Sequence, residues 1–330
     1  MEDVMRLKEL INGDWDNIWI VSHTVPDIDS MSSLTLMKIY LQWNTSSTIK
    51  PILNRDIISK INQQKFLDLY SCLLGKTYNV PDKIGRNDLL ILVDEQWGEG
   101  NTPYIEGVTG RNLVTIDHHI TTNQIPCLFK DVRPNRCSTT SVLYKYVEPL
   151  KEAAPIVLDL VYHGMYSDTN GFKNKLNSED AKIRYALEVV TPINRESIWE
   201  TYREEYGVED VKHLIKALNT YKKFEGFILT KINKCDTNTL GSIADILASI
   251  QGNDVVIVYF EDKDECKARL SVRSHCIEVS AHKVIKKITG KVGNGGGHLH
   301  ACAGYIDLNQ IGNTHNYIVN TLKDFKVRGN

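Results

Sequence analysis

The sequence predicts an α/β fold of two domains: a parallel sheet with helices on both faces, then a smaller α/β domain, with a cleft between them. Three observations predict it. Short β-rich apolar runs alternate with stretches of helical periodicity in the first half, a long charged helical stretch spans residues 178 to 218, and strand-like runs resume after it. A chain of 330 residues is long enough to bury two cores.

The elements follow in order. "NIWIVS", "KPIL", "DLLILVD" and "NLVTID" read as strands, too short and too β-branched for helices. "SMSSLTLMKIYLQW" and "CSTTSVLYKYV" carry the helical period between or after them. Strands separated by helices are parallel strands, because a crossover needs that length of chain. Another apolar helical stretch begins near Pro155 and runs to Asp168. The charged segment "SEDAKIRYALEVVTPINRESIWETYREEYGVEDVKHLIKAL" has a Thr-Pro break at Pro192 and reads as the connection between domains. Beyond it, "GFILTKI", "DVVIVYF" and "KARLSVRS" read as strands, with helices "LGSIADILASI" and "VSAHKVIKKIT" among them. The expected division is therefore a domain over residues 1–190, a helical linker over 191–218, and a second domain over 219–330.

Composition excludes several classes. With 42% hydrophobic and 24% charged residues and no repeat or low-complexity tract, the chain is globular rather than disordered. No apolar run reaches membrane-spanning length, and the first residues, "MEDVMRLKELINGDW", lack the sections of a secretory signal, so a soluble, cytoplasmic protein is expected. The seven cysteines show no CxxC spacing and read as reduced packing residues. A formal charge of -2 argues against coating long nucleic acid. Between Lys263 and Lys291, however, eight basic residues stand against three acids, where a small anion could be received.

Ligands of an open parallel sheet bind beyond the carboxyl ends of its strands. In the first domain that rule selects four places. They are "HTVPDIDS" after "IWIVS", with His23, Asp27 and Asp29; Asp94 after "LLILV"; "DHH" after "LVTI", with Asp117, His118 and His119; and Asp168. Any one aspartate here could be only a helix cap, and His163, His213, His275, His282 and His315 read as packed or surface histidines. Four such ends at one rim are different, because clustered carboxylates repel unless a cation holds them. Carboxylate and imidazole without thiolate suit Mn²⁺, Mg²⁺ or Co²⁺. Four acids and two histidines exceed the needs of one ion, so two ions sharing a carboxylate are expected, an arrangement suited to phosphoryl hydrolysis.

Towards the other end stands "GKVGNGGGHLHACAG". Its glycines allow close backbone approach to an anion, with His298 as an added donor, although no Walker-type lysine follows. Alternation along "ARLSVRS" puts Arg269 and Arg273 on one strand face, and arginine offers paired donors to phosphate.

Together, "SHTVPDIDS", "LVDEQ", "IDHH", "YSDTNGF", "SVRS" and "GGGHLHACAG" resemble, in order and across residues 20 to 305, the DHH phosphoesterases that carry a C-terminal DHHA1 domain. The similarity is strongest to the short nanoRNase and pAp-phosphatase branch. That resemblance implies that His23, Asp27 and Asp94 hold one Mn²⁺, and that Asp29, Asp94, His118 and Asp168 hold the other. It implies that His119 contacts the scissile phosphate with Asp117 supporting it. It further implies that Ser271 and Arg273 bind substrate and that Gly295, Gly296, Gly297 and His298 form a phosphate-binding loop. Ile28, Ser30, Asn170 and Cys302 depart from residues common in the family, and none of them removes a ligand.

The resemblance implies Mn²⁺-dependent hydrolysis of short oligoribonucleotides or pAp. The alternatives are a phosphodiesterase of cyclic or linear dinucleotides, a manganese pyrophosphatase-like enzyme, and a silent nucleotide-binding protein. Homodimerisation is allowed but not specified.

Overall fold

In the computed structural model the described residues are 2–55, 58, 61–98, 102–120, 125–173, 176–190, 193–202, 207–252, 254–276, 278–297 and 299–325. The chain divides into two compact units, residues 1–204 and 205–330, so the division falls inside the segment expected as the linker. The Thr-Pro break at Pro192 lies outside the described residues.

The first unit begins with α1 (Glu2–Ile11), β1 (Asn17–Val21), α2 (Ile28–Asn44), β2 (Thr48–Pro51) and α3 (Ile61–Leu74). It continues with β3 (Asp88–Val93), β4 (Leu113–Asp117), β5 (Phe129–Val132), α4 (Thr139–Val147), α5 (Ile156–Asp168), α6 (Ser178–Tyr185) and α7 (Arg195–Tyr202). Its five strands run in the order β2-β1-β3-β4-β5, every pair parallel. Successive residues of a strand point to opposite faces, and both faces here are apolar. Ile18, Ile20, Leu89, Ile91 and Val93 pack with α1, α2, α4 and α5 on one side. Trp19, Val21, Leu90, Leu92 and Leu113 pack on the other beneath Ile52, Ile84 and Ile105 from connecting segments. The strand ends that carry the predicted site residues thus emerge from a sheet buried on both sides, which fixes their positions.

The second unit holds α8 (Val208–Thr220), β6 (Lys222–Phe224), β7 (Phe227–Lys231), α9 (Thr237–Ala248), β8 (Val255–Asp262) and β9 (Lys267–Ser274). After them come α10 (Ala281–Thr289), β10 (Gly293–Gly297), β11 (Ala301–Asp307) and α11 (Thr314–Leu322). The sheet order is β10-β11-β9-β8-β7-β6; only β7 and β8 run parallel. One face packs on α10 and α11, the other on α8 and α9. No helix among the described residues is long and apolar enough to cross a membrane.

Candidate metal centre

Each predicted ligand sits where a strand or helix stops. Asp27 is the N-cap of α2, its carboxylate accepting the Ser30 amide at 2.9 Å, and this turns His23, Asp27 and Asp29 towards the same rim. Asp94 follows β3 in a left-handed conformation, φ 63°, which aspartate tolerates better than most side chains. Its amide still extends the ladder to Ile116 O at 3.1 Å, so the unusual angle turns the side chain without breaking the sheet. His118 and His119 follow Asp117 at the end of β4, and Asp168 ends α5.

Donor atoms converge in three groups: His23, Asp27 and Asp94; Asp94, His118 and His119; Asp29, His118 and Asp168. Within each, the atoms lie no more than 4.8 Å apart. The two oxygens of Asp94 face different groups. Oδ2 lies 3.4 Å from His23 Nε2, while Oδ1 lies 3.7 Å from His118 Nε2 and 3.8 Å from His119 Nδ1. On the far side His118 Nε2 stands 3.1 Å from Asp168 Oδ2.

Surrounding groups orient these side chains. His118 Nδ1 faces the Arg136 carbonyl at 3.3 Å, which directs Nε2 at the acids. His119 Nδ1 is 2.8 Å from Asp117 Oδ1, and Asp117 Oδ2 accepts from Gln96 at 2.8 Å; the opposite ring nitrogen of His119 therefore points away from Asp117. Asp29 accepts the amides of Thr139 and Thr140, at 2.7 and 3.1 Å, at the start of α4. A helix N-terminus stabilises a carboxylate in that place.

Burial and like charge set the electrostatics. Asp29 is fully buried, and burial together with the charges of Asp94 and Asp168 holds its carboxyl well above the usual range. Burial, with Asp27 and Asp94, also raises Asp168 to about 6 although His118 bonds to it. Burial opposes ionisation of Asp94, but the hydrogen bond to His23 and the neighbouring imidazoles hold it far below the usual range. Burial likewise opposes a charge on His23, and Asp94 and Asp27 overcome it, raising the imidazole to about 10. Among the described residues no lysine or arginine pairs with Asp27, Asp29, Asp94 or Asp168. Four carboxylates and three imidazoles, unpaired with lysine or arginine among the described residues, fit a divalent cation, and donor groups of carboxylate and imidazole alone favour a hard or borderline one.

Several residues at this rim were not singled out from the sequence as contributors. The Ser30 hydroxyl lies 2.5 Å from His23 Nε2, 2.6 Å from Asp94 Oδ2 and 3.1 Å from Asp27 Oδ1, at the meeting point of one donor group. Thr139 Oγ1 donates to Asp94 Oδ1 at 2.8 Å. Glu95 is buried beside Asp94, its carboxyl held well up chiefly by burial. The sequence hints were the positions of Ser30 in "SHTVPDIDS" and of Glu95 in "LVDEQ". Asn170, where the family favours glycine, has φ 50°, a conformation that asparagine accepts.

In the second unit, Ser271 and Arg273 lie on β9, which pairs with β11, which in turn pairs with β10. The expected glycine loop is instead the edge strand β10: Gly293 to Gly297 run antiparallel to Ile306 to Cys302, and of these glycines only Gly297 has positive φ, 134°. Ser271 and Gly296 flank Ala303 in one row across the three strands. An edge strand leaves only every second residue's amide and carbonyl unpaired by its sheet, and the Gly295 amide already donates to Asn294 Oδ1 at 2.8 Å. Arg269, on the same strand face as Arg273, is tied to Glu265 at 2.6 Å. His298 lies outside the described residues.

Comparison with known proteins agrees with this layout. The model of the DHH family, N-terminal domain, matches residues 17–165, and that of the DHHA1 domain matches residues 225–324. No curated protein sequence matches the chain significantly. Among solved structures, an exopolyphosphatase-related protein from Bacteroides fragilis superposes with a TM-score of 0.69 at 18% identity, covering 98% of this chain and 94% of that one. RecJ from Thermus thermophilus in complex with Mn²⁺ superposes with a TM-score of 0.57 at 12% identity, covering 98% of this chain and 54% of RecJ. At such identities the likeness is one of fold. The two matched domains take in the rim residues from His23 to His119, with Asp168 three positions past the end of the first match, and the β9–β11 sheet; the chain belongs to the DHH family of phosphoesterases, in the form that carries a DHHA1 domain.

Proposed function

We propose that the chain hydrolyses short oligoribonucleotides or pAp with two divalent ions, Mn²⁺ being preferred and Mg²⁺ or Co²⁺ able to substitute. The observation that carries this reading is Asp94, whose two oxygens address two separate donor groups as a shared carboxylate would. His23, Asp27 and Asp94 would hold one ion, and Asp29, Asp94, His118 and Asp168 the other. When bound, the ions would supply Lewis-acid polarisation of the phosphoryl group and activation of water.

The protein's own groups do the rest. His119, oriented by Asp117, donates to a phosphoryl oxygen and stabilises the charge that develops there. Asp117 keeps the His119 ring in one orientation, and Gln96 keeps Asp117 in place. Ser271, Arg273, Gly295, Gly296, Gly297 and His298 recognise a further phosphate of the substrate. A formal charge of -2 supports short substrates, because no excess of positive charge is available to follow a long polyanion.

The test is to strip the full-length protein with chelator, reconstitute it with Mn²⁺, and compare initial rates on a diribonucleotide, pAp, cyclic di-AMP and pyrophosphate. Preference for the diribonucleotide or pAp is expected. Preference for cyclic di-AMP or pyrophosphate would overturn the substrate and keep the centre, whereas no Mn²⁺-dependent turnover of any of the four would overturn the enzymatic reading.

A further inference from the structure

Arg273 is held more completely than a side chain waiting for substrate needs to be. Its Nε donates to Asp245 Oδ1 at 2.5 Å and its Nη2 to Asp245 Oδ2 at 3.0 Å, a two-point pair with α9. Nη2 also reaches the Gly241 carbonyl at 3.4 Å; Nη1 reaches Ser271 Oγ at 3.0 Å and the Val272 carbonyl at 3.2 Å. Gly241 and Asp245 lie one turn apart on the same face of α9. A β-carbon at Gly241 would stand 3.4 Å from Arg273 Nη2, the edge of ordinary contact, so the guanidinium lies directly against this turn of the helix.

The contacts differ in kind. The Nε–Nη2 edge is bound by a carboxylate, in the fork geometry that arginine favours. The end of the group, Nη1 with Nη2, is held by neutral oxygens, two of them at the long distances of 3.2 and 3.4 Å. An incoming phosphate, being charged, displaces those neutral acceptors more readily than it displaces the carboxylate. We infer that Asp245 is a positioning residue: it locks one edge of Arg273 so that the opposite end is presented to a substrate phosphate. The long side chain is then ordered before substrate arrives, and the ordering is not charged against binding. Asp245 itself is well exposed. This rests on the reading of Arg273 as a phosphate-binding residue.

The experiment is steady-state kinetics of the full-length, Mn²⁺-loaded protein on a diribonucleotide, with thermal melts alongside, for D245N, D245E, R273A and the R273A/D245N double variant. D245N is expected to raise KM about tenfold with kcat within about twofold, since the loss is one of binding. D245E, which restores the charge, is expected to recover part of that loss. The double variant is expected to match R273A, because a residue acting only through Arg273 has nothing left to act on. An unchanged KM in D245N would overturn the inference, and a lowered one would recast Asp245 as a competitor of the substrate. If D245N melts early, the D245E and double-variant comparisons decide the matter in the same way. R273A with an unaltered KM would instead overturn the phosphate-binding reading on which the inference stands.

Discussion

Gly164 on α5 faces the carboxylate of Asp29 so closely that a β-carbon at 164 would stand 2.2 Å from Asp29 Oδ1, and 2.3 Å from the Thr140 hydroxyl. The glycine is therefore part of the centre, although it carries no donor. Gly164→Ala is expected to cost about 3 kcal/mol by overpacking and to weaken divalent-ion binding, since Asp29 is the flexible partner that must yield. Chemical denaturation and calorimetric titration with Mn²⁺ check the two effects. A variant with normal stability and normal metal affinity would show that α2 and α5 pack less tightly than the structure has them.

Asp94 serves both donor groups, so replacing it should disturb both at once. Asparagine accepts the left-handed backbone that position requires and keeps the volume. Asp94→Asn is expected to lower kcat by on the order of a thousandfold while the far-ultraviolet circular dichroism stays native. Mn²⁺ titration should show weakened binding at more than one site. Near-normal turnover would remove the shared carboxylate from the scheme.

Most of the first unit was legible because its strands are apolar on both faces and run out into polar ligand-type residues, His23 after β1, Asp94 after β3 and Asp117 at the end of β4. β5 was not, since "FKDV" places a charge at Asp131 in the interior, where Arg133 just after the strand and Lys145 and Tyr146 of α4 satisfy it. β10 was hidden for a different reason. A strand of glycines has no side-chain alternation to read, and its need for glycine comes from β11: a β-carbon at Gly293 would lie 1.9 Å from Tyr305 O. The candidate ligands could be read as a motif, whereas Thr139 and Gly164, and the reach of Ser30 to Asp94, enter only through contacts between distant segments. Such contacts leave no periodic trace in the chain.

Ser30 occupies the point where His23, Asp27 and Asp94 meet, so its hydroxyl and a cation compete for the same donors. Removing the hydroxyl should therefore have opposite effects on the two states. In chelator-treated protein, Ser30→Ala is expected to lose about 1.5–3 kcal/mol of stability, the worth of a hydrogen bond to a charged group. In the presence of Mn²⁺ it is expected to bind the ion several-fold more tightly. Calorimetry on both proteins reads the second effect, and weaker binding in the variant would mean that the hydroxyl assists the ion instead of competing with it.

His163 gives the first unit a pH dependence separate from the metal centre. It is fully buried on α5, with Nε2 2.9 Å from the Tyr70 hydroxyl and the rings of Phe66 and Tyr202 against it. Burial lowers its pKa from 6.5 to about 3. A base with a depressed folded-state pKa stays neutral in the native protein while the unfolded chain takes up a proton. Its contribution is thus present above pH 6.5 and is lost progressively as the pH falls towards 3. At pH 5 the loss amounts to about 2 kcal/mol, a shift of one pKa unit being worth about 1.4 kcal/mol. Phenylalanine suits the aromatic surroundings and does not titrate. The difference in unfolding free energy between wild type and His163→Phe, measured in urea at pH 7 and again at pH 5, is expected to move by that amount in favour of the variant. A difference that stays constant between the two pH values would mean that the imidazole takes up its proton inside the folded protein, and that the α5 core admits water.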